Sequence, residues 1–126
     1  MVDDESIILD VGGEVLKALG YNVIPAKSGK EAIEILRQTM GMSVRGKGKA
    51  LKPDLVILDM IMPEMGGAET FDAIKKINPD IKVLLASGYS IDGKATRMLA
   101  NGCNGFIQKP YNIQQISRKI REILAN

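Results

Sequence analysis

Apolar residues along the chain fall into two alternating kinds of segment. Short runs rich in Val, Ile and Leu span Val23 to Ala26, Leu55 to Leu58, Lys82 to Ala86 and Gly105 to Gln108. Each is too short for a helix and is bounded by Pro, Gly, Asn or Asp, which predicts strands. Between them the apolar positions recur at helical spacing. Ile8, Val11, Val15 and Leu19 predict a first helix, with Gly20 placed to end it. Ser28 and Glu31 form a capping box opening a second helix that carries Ala32, Ile33 and Leu36. A third helix carries Ala68, Phe71 and Ile74 and stops at Asn78-Pro79. A fourth carries Ala95, Met98 and Leu99 and stops at Asn101-Gly102. The last has Asn112 as its N-cap and Ile113, Ile116, Ile120 and Ile123 as its apolar stripe.

Strand and helix in strict alternation imply an α/β fold, a parallel sheet with helices on both faces. The run Leu55-Val56-Ile57-Leu58 is apolar throughout, as suits a strand covered on both sides. Pro25 lies inside the Val23–Ala26 run, which places that strand at an edge. Residues 39–52 break the rhythm: they hold Gly41, Gly46 and Gly48 and the cations Arg45, Lys47, Lys49 and Lys52 without periodicity. They read as a flexible basic insertion within a single domain, 1–126, with docking of an acidic partner as the functional alternative. Gly46-Lys47-Gly48-Lys49 is not a phosphate-binding loop, because it follows a helix and lacks the GK[ST] ending.

Composition narrows the chemistry. The chain of 126 residues and 13.7 kDa is the size of one domain, and 45% apolar content supports a core. Lys plus Arg is 17 and Asp plus Glu 15, a net charge of +2, which argues against nucleic acid or an anionic membrane as main partner. No apolar run approaches ~18 residues and no leader pattern opens the chain, so a cytoplasmic location is expected. A single Cys allows no internal disulfide, and Cys103 reads as a small buried residue. The absence of His nearly excludes zinc and excludes His-dependent catalysis. Chemistry is left to carboxylates, Lys, hydroxyls and backbone.

In an open parallel sheet, ligands sit beyond the carboxyl ends of the strands. The residues expected there are Asp3, Asp4, Asp59, Ser87 and Lys109. Three carboxylates together repel, and a hard divalent cation with oxygen ligands, commonly Mg²⁺, would neutralise them. A carboxylate shielded by Mg²⁺ and Lys can be approached by a phosphoryl group and act as nucleophile, forming an acyl phosphate. Ser87 and Lys109 would steady the transferring oxygens. Each piece alone has a plain structural reading. Asp3 and Asp4 can cap a helix, Asp59 and Ser87-Gly88 can form turns, and Lys109-Pro110 can be a surface loop or a cis bond. The pieces gain force by falling in order at one edge.

Those strings resemble the receiver domains of two-component response regulators, the CheY-like family. They are Val2-Asp3-Asp4-Glu5, Leu58-Asp59-Met60-Ile61-Met62-Pro63 with Gly67, Ala86-Ser87-Gly88, and Phe106-Ile107-Gln108-Lys109-Pro110. The resemblance implies a flavodoxin-like doubly wound sheet of strand order 2-1-3-4-5. It implies Asp59 as phosphoryl acceptor, with Asp4, Asp59 and the Ile61 carbonyl as Mg²⁺ ligands and Asp3 acting through water. Ser87 and Lys109 would bind phosphoryl oxygens, and Ser87 with Phe106 would form the switch. It implies a sensor histidine kinase or phosphotransfer protein as donor, and a downstream effector reading the face of the fourth helix, last strand and last helix. That face could also support a homodimer. Ile61 and Tyr89, at positions that tune dephosphorylation, would shield the acyl phosphate and slow its hydrolysis. The stretches Gly88 to Ile91 and Gly102 to Phe106 further resemble receivers carried by hybrid sensor kinases.

The sequence departs from the family in two places. Only Met1 and Val2 precede Asp3, so the first strand is apparently truncated and its sheet position is expected to be vacant or filled by strand exchange with another copy. The 39–52 insertion is longer than in most relatives. With no further domain after Asn126, the output is expected in another protein or in a separate part of a longer one. Two rival readings are a non-phosphorylated interaction module and a hydrolase with an Asp nucleophile. The hydrolase would need a second Asp where Ile61 stands. A signalling domain with only limited self-phosphorylation and self-dephosphorylation is the favoured reading.

Overall fold

Three strands pair in parallel in the order β1 (Leu55–Asp59), β2 (Lys82–Ser87), β3 (Gly105–Gln108). The computed structural model describes residues 1–41, 53–60, 62, 64–88, 93–109 and 111–125. The register sets Asp59 beside Ala86 and Ser87 beside Gln108, so the strands end together at one edge. Helices α1 (Ser6–Ala18), α2 (Gly29–Gly41), α3 (Gly67–Ile77), α4 (Gly93–Ala100) and α5 (Ile113–Ala125) separate and flank them.

The sheet position expected to be vacant is held by Met1–Asp3. The Val2 N–H donates to the Ile57 carbonyl at 2.8 Å, and the Asp59 N–H donates to the Val2 carbonyl at 3.1 Å. On the other side the Met1 amino group donates to the Ile24 carbonyl at 3.0 Å, the Ala26 N–H to that of Met1 at 2.9 Å, and the Asp3 N–H to that of Ala26 at 3.1 Å. Val2 thus bridges both Ala26 and Leu58 in parallel. Counting these bridged segments, the spatial order is the 2-1-3-4-5 expected. Only the carboxyl-terminal part of the central position is filled; a cavity of about 470 Å³ occupies the rest. Val23–Ala26 makes a single bridge instead of a strand. It lies outermost, where the missing N–H of Pro25 is tolerated.

Alternation along the strands divides the core in two. Val56, Leu58, Val83 and Leu85 face one cluster with Ala32 and Leu36 of α2, Phe71 and Ile74 of α3, and Met98 of α4. Ile57, Leu84, Ala86 and Ile107 face the other with Leu16 of α1 and Ile116, Ile120 and Ile123 of α5. Leu58, Val83, Leu84 and Leu85 are fully enclosed, each side chain contributing about 1.5–3 kcal/mol of hydrophobic stabilisation. This is the two-faced covering that their uninterrupted apolar run implies.

The helix termini follow their residues. The Glu31 N–H donates to Ser28 Oγ at 3.1 Å, opening α2. The Gln115 N–H donates to Asn112 Oδ1, and the Asn112 N–H donates to Gln115 Oε1, both at 2.8 Å, a reciprocal cap on α5. Gly20, with φ 98°, takes the left-handed turn that closes α1. Two details differ from the sequence reading. The buried face of α1 is Leu9, Gly13 and Leu16, while Val11 and Leu19 are 59% and 39% exposed. Apolar residues crowd this helix on adjoining faces, and the stripe drawn through Ile8, Val11 and Val15 is its flank. Helix α2 continues through Gly41, so 39–41 are not loop. The remainder of the expected insertion, 42–52, lies outside the described residues, as does Pro110, so neither the loop nor the cis reading of Lys109-Pro110 is addressed.

Candidate functional site

The ladder positions the site. Asp59 closes β1, held by its own N–H on Val2 and by the Met60 N–H, which donates to the Ala86 carbonyl at 2.9 Å. Asp3 is anchored on Ala26, and its Oδ1 accepts the Glu5 N–H at 3.0 Å, where the chain turns into α1. Lys109 follows β3, and its N–H donates to the Ser87 carbonyl at 2.7 Å. Four segments far apart in sequence therefore converge at the carboxyl edge, as expected of an open parallel sheet.

The side chains meet there. Lys109 Nζ lies 2.8 Å from Asp3 Oδ2 and 3.2 Å from Asp59 Oδ1. Carboxylate oxygens of Asp3, Asp4 and Asp59 lie within 4.8 Å of one another. Asp3 and Asp59 are buried, at 2% and 6% exposure, while Asp4 is exposed. Burial opposes the charge on Lys109, but the Asp3 hydrogen bond and the charges of Asp59 and Asp3 outweigh it and raise its pKa. Ser87, 5% exposed, closes β2 next to this group. Phe106, opposite Leu85 in the register, is half-buried against the core on the α2–α4 side. Every expected site residue that is described thus lies at this edge or behind it. Ile61 and Tyr89 lie outside the described residues.

The cluster suits a hard divalent cation. Three carboxylates face one ammonium, a local balance of 1 − 3 = −2. All donors are oxygens, the set Mg²⁺ prefers. Both Asp3 oxygens are already engaged, by Lys109 and by the Glu5 N–H. Asp4, exposed and with no ion pair among the described residues, is the more available ligand beside Asp59.

Two contributors were not assigned a role from sequence. A Cβ on Gly67 would stand 2.7 Å from the Met60 Cα and 2.8 Å from the Asp59 carbonyl oxygen, so only Gly lets α3 start against the loop that carries Asp59. In that loop Glu64 adopts φ 63°, an uncommon conformation for a non-glycine. Gly66-Gly67 is visible as a pair, but no spacing announces the contact. Tyr111, two residues beyond Lys109, is half-buried; burial raises its pKa and the Lys109 charge opposes the rise. Cys103 is buried as expected, its thiol donating to the Val83 and Gly105 carbonyls at 3.3 and 3.4 Å, and burial raises its pKa.

Comparison with known proteins agrees with this geometry. The family model described as "Response regulator receiver domain" matches residues 1–121. The chain is 34% identical over 124 residues to the sensor kinase CckA of Brucella abortus, covering 98% of this chain and 12% of that protein. It is 28% identical over 124 residues to the chemotaxis protein CheY of Thermotoga maritima, covering 98% and 93%. A solved receiver domain from Clostridium thermocellum superposes with a TM-score of 0.84 at 28% identity, covering 98% of this chain and 90% of that one. The chain spans 12%, 30% and 42% of the lengths of the first three curated relatives it matches, so what those whole proteins do is not carried over with the match. Among the described residues no helix is long and apolar enough to cross a membrane. The chain belongs to the response regulator receiver domain family of two-component signalling, a family of signalling domains, not true enzymes.

Proposed function

We propose that the chain is a phosphoacceptor switch in which Asp59 takes a phosphoryl group from a phosphohistidine on a sensor kinase or phosphotransfer protein. The observation that carries this reading is the ammonium of Lys109 held between Asp3 and Asp59 beside a third carboxylate. An Asp59 oxygen attacks phosphorus, the bond from phosphorus to the donor imidazole nitrogen breaks, and that nitrogen leaves with the electron pair. The product is an acyl phosphate on Asp59 and a neutral imidazole on the donor. Lys109, already beside Asp59, moves little to meet the charge on the transferring oxygens, and Ser87 offers a hydroxyl at the adjacent strand end. Asp4, Asp59 and, through water, Asp3 would hold Mg²⁺, which supplies charge neutralisation for the carboxylates and the phosphoryl oxygens. Ser87 lies at the end of β2, whose Leu85 faces Phe106. A shift of Ser87 toward a phosphoryl oxygen would therefore be felt at Phe106 and on the face of α4, β3 and α5, where an effector reads the state.

The donor reaches Asp59 across this edge. Beside Lys109 an apolar groove of about 370 Å³ runs between α1 and α5, and Ile7, Val11 and Ile113 are 68%, 59% and 53% exposed along it. We read it as the seat of the donor's helical surface. Val11→Glu should slow transfer from a phosphorylated histidine-phosphotransfer protein at least tenfold while leaving labelling by acetyl phosphate unchanged. Asp59→Asn should abolish both. Undiminished transfer to Asp59→Asn would refute the acceptor assignment, and equal loss with both donors in Val11→Glu would refute the docking assignment.

A further inference from the structure

The groove between α1 and α5 carries a polar handle where it meets the phosphoacceptor centre. Its walls are mostly apolar, with Ile7, Val11 and Val15 from α1 and Ile113 and Ile116 from α5. Three polar residues join them, Lys109, Tyr111 and Asn112. Two of these are committed elsewhere. The Lys109 ammonium is held by Asp3 and Asp59, and Asn112 Oδ1 accepts the Gln115 N–H at 2.8 Å as the cap of α5. Among the described residues the Tyr111 hydroxyl makes no hydrogen bond.

Packing and charge define what that hydroxyl can do. Tyr111 is half-buried and rests on the core cluster that holds Leu16, Ile116 and Ile120. Its phenol is close enough to the centre to feel the charges of Lys109, Asp3 and Asp59, and burial keeps it protonated. A protonated phenol can donate a hydrogen bond. Three carboxylates and one ammonium leave the centre negative. It stays negative with Mg²⁺ in place, because the arriving phosphoryl group brings about two negative charges of its own. The acceptor that suits this phenol is therefore neutral, since a further carboxylate would be repelled.

We propose that Tyr111 is a positioning residue for the phosphoryl donor: its hydroxyl donates a hydrogen bond to a neutral acceptor, a carboxamide or a main-chain carbonyl, on the donor helix seated in the groove. This rests on the reading of that groove as the donor's seat. In the free chain solvent completes the hydroxyl, and a helix laid along Val11 and Ile113 covers it. A donor without an acceptor at this point leaves the phenol desolvated and unpaired, so the groove discriminates between donors as well as binding them. Acetyl phosphate reaches the centre without covering the groove and is indifferent to the hydroxyl.

The test compares Tyr111→Phe with wild type, using two donors: acetyl phosphate, and a phosphorylated histidine-phosphotransfer protein that transfers to the wild type. Phe keeps the ring, so the melting temperature should not change. The KM for the phosphotransfer protein should rise about 5–10-fold, the effect of one neutral hydrogen bond, with kcat and acetyl phosphate labelling unchanged. An unchanged or lower KM would overturn the proposal. So would an equal loss with acetyl phosphate, which would put the hydroxyl's action at the centre instead of on the donor. Val11→Glu separates this inference from the reading beneath it. If Val11→Glu also transfers as fast as wild type, the groove is not the seat and the inference falls with it. If Val11→Glu is slowed and Tyr111→Phe is not, the seat stands and the hydroxyl contact alone is wrong.

Discussion

The two ends of the central sheet position differ sharply although the same three residues meet both. At the carboxyl end, Met1–Asp3 is tied to both neighbours by backbone hydrogen bonds of 2.8–3.1 Å, and Asp3 is fixed again by Glu5 and Lys109. At the amino end, the same position is a cavity of about 470 Å³. The difference separates what builds the site from what completes the core. Placing Asp3 needs one turn of ladder, with the partners on each side already set by β1 and the Ala26 segment. Toward the amino end the layer between α2 and the α1–α5 pair is lined by Leu16, Ala32, Leu36 and Ile120 and stays open.

The largest effect expected from breaking the carboxyl end is at Lys109. Lys109→Met should slow acetyl phosphate labelling by about 10²–10³-fold, the cost of losing one preorganised group that meets transition-state charge. The same substitution probes pH. Because the folded-state pKa of Lys109 is raised, its stabilising interaction is fully present below about pH 10.5 and is lost as pH rises through the higher folded value. The stability difference between wild type and Lys109→Met, measured by urea unfolding, should stay constant from pH 7 to 10 and shrink beyond.

Metal comes next. Mg²⁺ at 100 times its dissociation constant should stabilise the wild type by about 2.7 kcal/mol, read as a melting shift that chelator removes. In Asp4→Asn that shift should fall markedly at the same concentration, since Asp4 is the exposed carboxylate without an ion pair among the described residues. Gly67→Ala should cost about 1–3 kcal/mol in unfolding free energy and slow labelling as well, because the new methyl displaces the Asp59–Met60 backbone. A loss of stability with labelling unchanged would show that the loop gives way without moving Asp59.

The smallest effect belongs to the amino end and is the sharpest contrast. Ala32 and Ala86 are both buried, at 5% and 3% exposure, but Ala32 borders the cavity and Ala86 sits beside Asp59 in the ladder. Ala86→Leu should lose about 1–3 kcal/mol by overpacking, whereas Ala32→Leu should change stability by less than ~1 kcal/mol. Equal losses, measured by denaturant unfolding, would mean the two ends are packed alike.

Much of this was legible in the sequence because it is local. The uninterrupted Leu55–Leu58 run, the Ser28–Glu31 and Asn112 caps and the strand-end Asp59, Ser87 and Lys109 are short-range signals, and parallel topology alone brings the last three to one edge. What was not legible depends on contacts between distant segments. Two residues before Asp3 look too few for a strand, yet they pair because two prepared edges receive them. The buried face of α1 could not be chosen among adjoining apolar stripes until α5 and the sheet fixed it. The collision that reserves position 67 for Gly involves backbone atoms of residues 59 and 60, which no periodicity encodes.

The central claim is that the three carboxylates and Lys109 form one phosphoacceptor centre on Asp59. Incubating the chain with acetyl phosphate, with and without Mg²⁺, and mapping the modified residue by mass spectrometry tests it directly. The account predicts a single phosphoryl group, on Asp59, formed with Mg²⁺ and absent in chelator. A phosphoryl group on another residue, or none under either condition, would contradict it.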